Sequence, residues 1–167
     1  MLPITLDPTR LRLAVAGDGP AAARRVALLR AAGAAPLVLA DVGAGVLPAL
    51  DFLWIADLAP EQAAPLAAAA RARGILVNVE DQPALCDFRN AAELRRGDLL
   101  IAVSTGGASP GLAGMIRDRI GALFGPEWAE RLAGLGARRR AWRAAGQDLP
   151  AVVQATRDAV SAEGWLA

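Results

Sequence analysis

The chain has 167 residues, 54% of them hydrophobic, and a formal net charge of +1. That is enough apolar material for one packed domain, alone or with a helical extension, and it gives no electrostatic case for nucleic acid or an anionic membrane as partner. Every basic residue is arginine, and lysine, histidine and tyrosine are absent, which excludes a His-based triad, a His metal site and a Lys Schiff base. Cys86 is the single cysteine. No disulfide framework or multi-Cys zinc site can form within one chain, and Cys86 reads as a small buried residue rather than a nucleophile. The opening stretch lacks the layout of a secretory signal, and no uncharged run of about 18 apolar residues reads as a membrane span. The expectation is a soluble, cytoplasmic protein.

Leu11 to Ala16 is a short apolar strand. It meets Gly17-Asp18-Gly19-Pro20-Ala21-Ala22, then a helix through Ala32 that Gly33 stops. Pro36 to Ala40 is a second strand, ending at Asp41, and Val42 to Leu50 is a Gly- and Pro-bearing loop. Phe52 to Ala56 is a third strand and Ile75 to Val79 a fourth. Between them Glu61 to Arg73 is a helix whose first turn Pro65 should delay or bend. Uninterrupted apolar strands alternating with helices predict an α/β fold with a parallel sheet covered on both faces. After Val79 the pattern changes. Glu80 to Phe88 is a polar loop with room for one helical turn, and Ala92 to Arg95 and Asp98 to Thr105 can pair as a hairpin around Arg96-Gly97. Three helices follow, Gly111 to Phe124, Glu127 to about Ala145, and Leu149 to Ala162. A helical tail behind a sheet domain suggests a separate task such as dimerisation.

Four clusters could carry chemistry. Gly17-x-Gly19-x-x-Ala22 follows a strand and opens a helix, the setting of a dinucleotide fingerprint. Gly17 would make the tight turn, Gly19 would admit the pyrophosphate, Ala22 would allow close helix–strand packing, and Asp41 would bind a ribose hydroxyl. The bland alternative is a glycine-rich turn beside a solvated Asp41, and Asp18 places a negative charge near the proposed phosphates. Glu80 and Asp81 stand at the end of the fourth strand, where open α/β sheets bind ligands; they could move protons, or simply be solvated. Ser104-Thr105-Gly106-Gly107-Ala108-Ser109 leads into a helix that starts at Pro110, with Ser109 as N-cap. Its first-turn N–H groups have no intrahelical partner and could receive carboxylates or phosphates, or this could be no more than a well-capped turn. Finally, Arg138-Arg139-Arg140 cannot all face one way on a helix, so at least one should turn inward or towards a partner.

Taken together, these residues resemble the bifunctional precorrin-2 dehydrogenase/sirohydrochlorin ferrochelatase family, the first module of siroheme synthase. The resemblance runs in order through Met1-Leu2-Pro3-Ile4, the stretch from Gly17 to Arg25, Asn78-Val79-Glu80-Asp81, Cys86-Asp87-Phe88, the stretch from Ala102 to Pro110, and Gly136-Ala137-Arg138-Arg139-Arg140-Ala141-Trp142. It implies a Rossmann-like domain over residues 1–105, a dimerisation and substrate region over 106–147, and a C-terminal helix over 148–167. It implies NAD as hydride acceptor, precorrin-2 and sirohydrochlorin as substrates, ferrous iron inserted as a further substrate, and a homodimer. Asp81 matches the family's proton-handling aspartate. Thr105 matches a hydroxyl residue of the tetrapyrrole site, which would extend over Ser104, Gly106, Gly107, Ser109 and Arg139.

The chain departs from the family in three places, one of them Arg89-Asn90-Ala91, where an apolar pair and proline are common. Only about ten residues, Asp41 to Leu50, span a gap that usually holds a helix and another strand, so the member is shortened and an edge strand should be missing. Asp57-Leu58-Ala59 stands where a Thr-Asp-Asp-like turn is usual. The alternatives are therefore a chelatase alone, for iron or cobalt, or a non-catalytic tetrapyrrole-binding paralogue.

Overall fold

The structure, a computed structural model, describes residues 2–40 and 47–166. Asp41, the expected ribose ligand, lies outside the described residues, as does the rest of 42–46. The chain divides into two compact units, Met1–Asn90 and Ala91–Ala167.

The first unit holds a parallel sheet of four strands, β1 (Leu13–Ala16), β2 (Leu37–Leu39), β3 (Phe52–Ile55) and β4 (Leu76–Val79), in the order β2-β1-β3-β4. Helix α1 (Pro20–Ala31) links β1 to β2, and α2 (Pro60–Ala72) links β3 to β4. All residues of β1 and β3 are buried, as expected of central parallel strands with both faces covered. Alternate side chains go to opposite faces. Leu53, Ile55, Val77 and Val79 pack with Ala63, Leu66, Ala67 and Ala70 of α2. Leu13, Val15, Phe52 and Trp54 pack with Ala21, Ala22 and Val26 of α1. The alanines of both helices let the backbones come close to the sheet.

Among the described residues β2 is an edge strand, with Leu37 and Val38 half exposed. That fits a sheet lacking the strand the family usually carries outside it. One expectation fails: α2 starts at Pro60 and continues through Pro65 without delay. Pro65 removes only the bond to the carbonyl of Glu61, and both residues are exposed, so water can serve that oxygen.

The second unit opens with an antiparallel hairpin, β5 (Ala92–Arg96) and β6 (Leu99–Val103), turned at Gly97 with φ +57°. Helix α3 (Pro110–Gly121) lies against both strands. The hairpin, grouped in the sequence reading with the Rossmann-like part, thus packs with the helices that follow it. Helices α4 (Trp128–Ala144) and α5 (Leu149–Ala162) complete the unit. Phe124, Trp128 and Trp165 form an aromatic cluster, with the Arg131 guanidinium 5.3 Å and 5.5 Å from the two indole rings. Among the described residues no helix is long and apolar enough to cross a membrane.

Arg12 and Asp51 tie together the leading ends of β1 and β3. Asp51 Oδ2 accepts from the Arg12 backbone N–H at 2.7 Å, and Oδ1 accepts from the guanidinium at 2.6 Å. The side-chain bond, then the backbone bond, lowers the Asp51 carboxyl from 3.8 to about 2. A carboxyl titrating lower in the folded chain than in the unfolded one gives a contribution present above the unfolded value and lost as pH falls through the folded one. Asp51→Asn is therefore expected to lower the melting temperature near pH 5, with the gap to the parent chain closing as pH falls from about 4 to about 2. Thermal melts across that range check it; a gap that does not change with pH counts against the ion pair.

Candidate functional site

The trailing ends of β1 and β3 come so close that only glycine fits between them. A Cβ on Gly17 would lie 1.9 Å from the Ala56 carbonyl oxygen, and Gly17 has φ +118°. From here the chain turns through Asp18 and Gly19 into α1, with Gly19 as N-cap. Pro20 has no N–H, and the Ala23 N–H bonds to the Gly19 carbonyl. Ala21 and Ala22 therefore carry the donors the helix leaves over. The Ala22 N–H donates to Asp57 Oδ2 at 2.7 Å. A Cβ on Gly19 would lie 2.4 Å from Asp57 Cγ and 2.6 Å from Oδ2. Gly17, Gly19 and Ala22 are thus brought together as the fingerprint requires, but the space Gly19 leaves is filled by a carboxylate. As arranged, the turn does not fit a dinucleotide phosphate. Asp57 is the residue that the site readings from sequence missed; its position two residues beyond β3 was the available signal.

The end of β4 is built differently. The Cys86 thiol clamps the following loop to the strand: Sγ accepts from the Val79 N–H at 3.3 Å and reaches the Val79 carbonyl at 3.2 Å. The Asp87 carboxylate accepts from the Val77 N–H at 2.9 Å and from Arg71 at 2.8 Å. Asn78 donates to the Phe88 carbonyl and accepts from Asn90, whose side-chain oxygen in turn accepts from the Trp54 indole at 3.1 Å. Asn78, Cys86 and Asp87 are therefore scaffold. What they hold in place is Asp81, exposed, with φ +56°. Among the described residues its carboxylate has no hydrogen-bond or ion-pair partner. Glu80 differs, with Arg24 at 3.8 Å.

In the second unit Ser104, Thr105, Gly106, Gly107 and Ser109 form one turn between β6 and α3. The Thr105 hydroxyl donates to the Ser109 carbonyl at 2.9 Å and accepts from the Ser109 N–H at 3.2 Å. Ser109 Oγ caps α3 by accepting from the Leu112 N–H at 3.2 Å. Gly106 and Gly107, with φ +70° and +86°, close the turn in the left-handed region. Thr105 thus fixes the shape of the turn, and the glycines present exposed backbone. Of the three arginines on α4, Arg138 turns to α5, paired with Glu163 at 2.5 Å and 5.7 Å from the Trp165 ring. Arg139 remains exposed.

A parallel sheet whose first strand turns through glycines into a helix, with acidic groups beyond its trailing ends, defines a Rossmann-like α/β protein. Residues 40–92 match a family described as putative NAD(P)-binding, and residues 96–123 match sirohaem biosynthesis protein central. Siroheme synthase of Methylococcus capsulatus is 39% identical over 140 residues, 71% of this chain and 30% of the relative. Siroheme synthase of Thiobacillus denitrificans is 36% identical over 161 residues, 84% of this chain and 33% of the relative. The chain spans about a third of the length of these curated relatives. The fold matches a solved structure of SirC, precorrin-2 dehydrogenase, with a TM-score of 0.75 at 20% identity, over 100% of this chain and 93% of that one. Over most of its length the chain is thus similar to part of siroheme synthases, and its fold is that of the SirC structure.

The two glycines of the α1 turn should respond differently to a methyl group. Gly17→Ala forces Cβ into a carbonyl at positive φ and is expected to cost about 3–5 kcal/mol, or to prevent folding. Gly19→Ala meets only a side chain that can swing away, and should cost about 1 kcal/mol through the lost cap. Urea unfolding of both variants checks this; equal losses would mean that the Gly17–Ala56 approach does not constrain the fold.

Proposed function

We propose that the chain acts in siroheme biosynthesis, oxidising precorrin-2 to sirohydrochlorin with NAD as hydride acceptor, inserting ferrous iron into sirohydrochlorin, or both. The supporting observation is Asp81, whose carboxylate has no partner among the described residues and stands on a braced loop beyond the sheet's trailing edge. Both reactions need a base. Oxidation removes a proton from the tetrapyrrole along with the hydride, and metal insertion displaces the pyrrole N–H protons. A carboxylate with no competing partner can accept them without histidine. Within the second unit, the Ser104–Ser109 turn and Arg139, whose guanidinium suits bidentate contacts, are the groups proposed to receive carboxylates.

A second reading, chelatase alone, is favoured by one observation: the Ala22 N–H that a pyrophosphate would use is taken by Asp57. Metal insertion does not need that seat.

The proposal includes a homodimer whose second copy covers α3. Leu112, Met115 and Ile116 are 49%, 70% and 39% exposed at helical spacing, and Leu123, 68% exposed, follows two residues beyond the helix. Such a row is more than isolated surface residues would explain. Light scattering at micromolar concentration should give twice the mass of the chain, and Met115→Glu should give the monomer mass. A monomeric parent chain rejects the dimer.

Asp81→Asn keeps the shape of the side chain and cannot take a proton. Its turnover is expected to fall by about 10²–10⁴-fold in whichever reaction the parent chain performs, with circular dichroism unchanged. Glu80→Gln should lose far less. Dehydrogenation and iron-insertion assays on the three proteins check this, and parent-like rates for Asp81→Asn in both reject its role.

A further inference from the structure

The carboxylate at the start of α1 is in the wrong place for a protein that binds phosphates there. A helix start offers bare N–H groups and the positive end of the helix dipole. Here the Ala22 N–H is used by Asp57 Oδ2 at 2.7 Å, across 35 residues of sequence. Asp57 comes from the neighbouring strand end with φ +56°, a conformation few side chains other than Asn and Asp tolerate. Its carboxylate lies within 2.4–2.6 Å of where a Gly19 side chain would begin. The glycine that would admit a pyrophosphate admits Asp57 instead. Any phosphate brought to this position would meet a full negative charge at contact distance, with Asp18 exposed beside it.

We propose that Asp57 is an internal anionic plug of the phosphate seat at α1, and that a phosphate-bearing ligand reaches the seat only when Asp57 leaves it. This deepens the dinucleotide reading, since the pyrophosphate of NAD is the ligand that reading supplies. The plug exchanges one anion for another at the same N–H group, so the loss of the Asp57 contact is subtracted from the affinity of every phosphate ligand. Asp57 is solvent-exposed on its other side, so nothing buried has to open for it to swing out. Removing its charge removes the anion that competes with a phosphate for the Ala22 N–H, so a gain in affinity of about tenfold is the scale to expect.

The test uses the full chain, Asp57→Gly and Asp57→Asn. Glycine suits the positive φ and empties the seat. Asparagine also tolerates that φ, keeps an oxygen for the Ala22 N–H and removes only the charge, so it serves if the glycine variant fails to fold. Calorimetric titration with NAD⁺ should show affinity rising about tenfold or more in Asp57→Gly and severalfold in Asp57→Asn. Inorganic pyrophosphate should move the Ala22 amide resonance in the variants at concentrations that leave the parent chain unchanged. The same NAD⁺ affinity in all three proteins overturns the plug while leaving the dinucleotide reading in place. Absence of any pyrophosphate effect at Ala22 in both variants also overturns it. A pyrophosphate effect at Ala22 in the variants, with no NAD⁺ binding by any of the proteins, upholds the plug and removes the dinucleotide reading instead.

Discussion

Much of the first unit depends on the approach of β1 to β3 at their trailing ends. The Ala56 N–H bonds to the Ala16 carbonyl at 3.0 Å, and the Gly17 N–H bonds to the Leu39 carbonyl at 3.0 Å. The ladder therefore runs on past the strands until the Gly17 backbone lies against the Ala56 oxygen. No side chain fits there, so the chain must leave β1 through glycine and enter α1 at once. That fixes where α1 starts, and with it where the free N–H groups point. It also brings residue 57 within reach of them. The same close approach that makes the turn look like a ligand cradle supplies the carboxylate that fills it.

The two units hold themselves together by different means. In the first, Leu53, Ile55, Val77 and Leu66 are essentially sealed from water, and each such side chain contributes about 1.5–3 kcal/mol. The opposite face is closed by Phe52, Trp54 and Phe88, whose rings pack with centroids 5.1–6.2 Å apart. In the second unit Leu94, Ala113 and Val152 are the buried hydrophobics among the described residues, and α4 buries none. Its aromatic cluster and the Arg138–Glu163 pair are partly exposed and correspondingly weaker. A helical unit with so small a core of its own is the kind that gains most from covering its apolar face, and Leu112, Met115 and Ile116 on α3 form such a face.

Much of the fold was legible in the sequence because local chemistry agreed with tertiary need. β3 reads as an unbroken apolar run because both its faces are covered, and the helix expected from Leu149 starts there, with the Asp148 carboxylate accepting from the Ala151 N–H at 2.9 Å. Gly17 was legible as a required glycine, though not the reason for it, since a turn that packs and a turn that binds use the same residue. Cys86 reads from the sequence as a small buried residue but is only partly buried, because it stands on the loop that its thiol bonds to Val79, and those bonds could not be seen from composition. Asp57 was not legible as a site residue. Its partner Ala22 is 35 positions away, and an acid after a strand looks solvated until the register of β1 against β3 is known. The hairpin was legible as a hairpin, and its grouping was not, because local pattern does not say which helix will cover it.

Asp57 and Asp81 show why position alone does not assign a role. Each stands two residues past its strand, β3 or β4, and the paired register of Ile55 with Val79 makes the two positions equivalent. Each has φ +56°. Sequence rules about acids at the trailing edge of a parallel sheet treat them alike. What separates them is the element in front. Asp57 faces the start of α1 and is held by an N–H group, so its charge is occupied by the fold. The loop after Asp81 is braced through Cys86 and Asp87, which take the nearby backbone donors of Val79 and Val77 for themselves. That leaves the Asp81 carboxylate exposed with nothing to bind among the described residues, its backbone position set by the loop and its lone pairs free, which suits the proton-transfer step proposed for it.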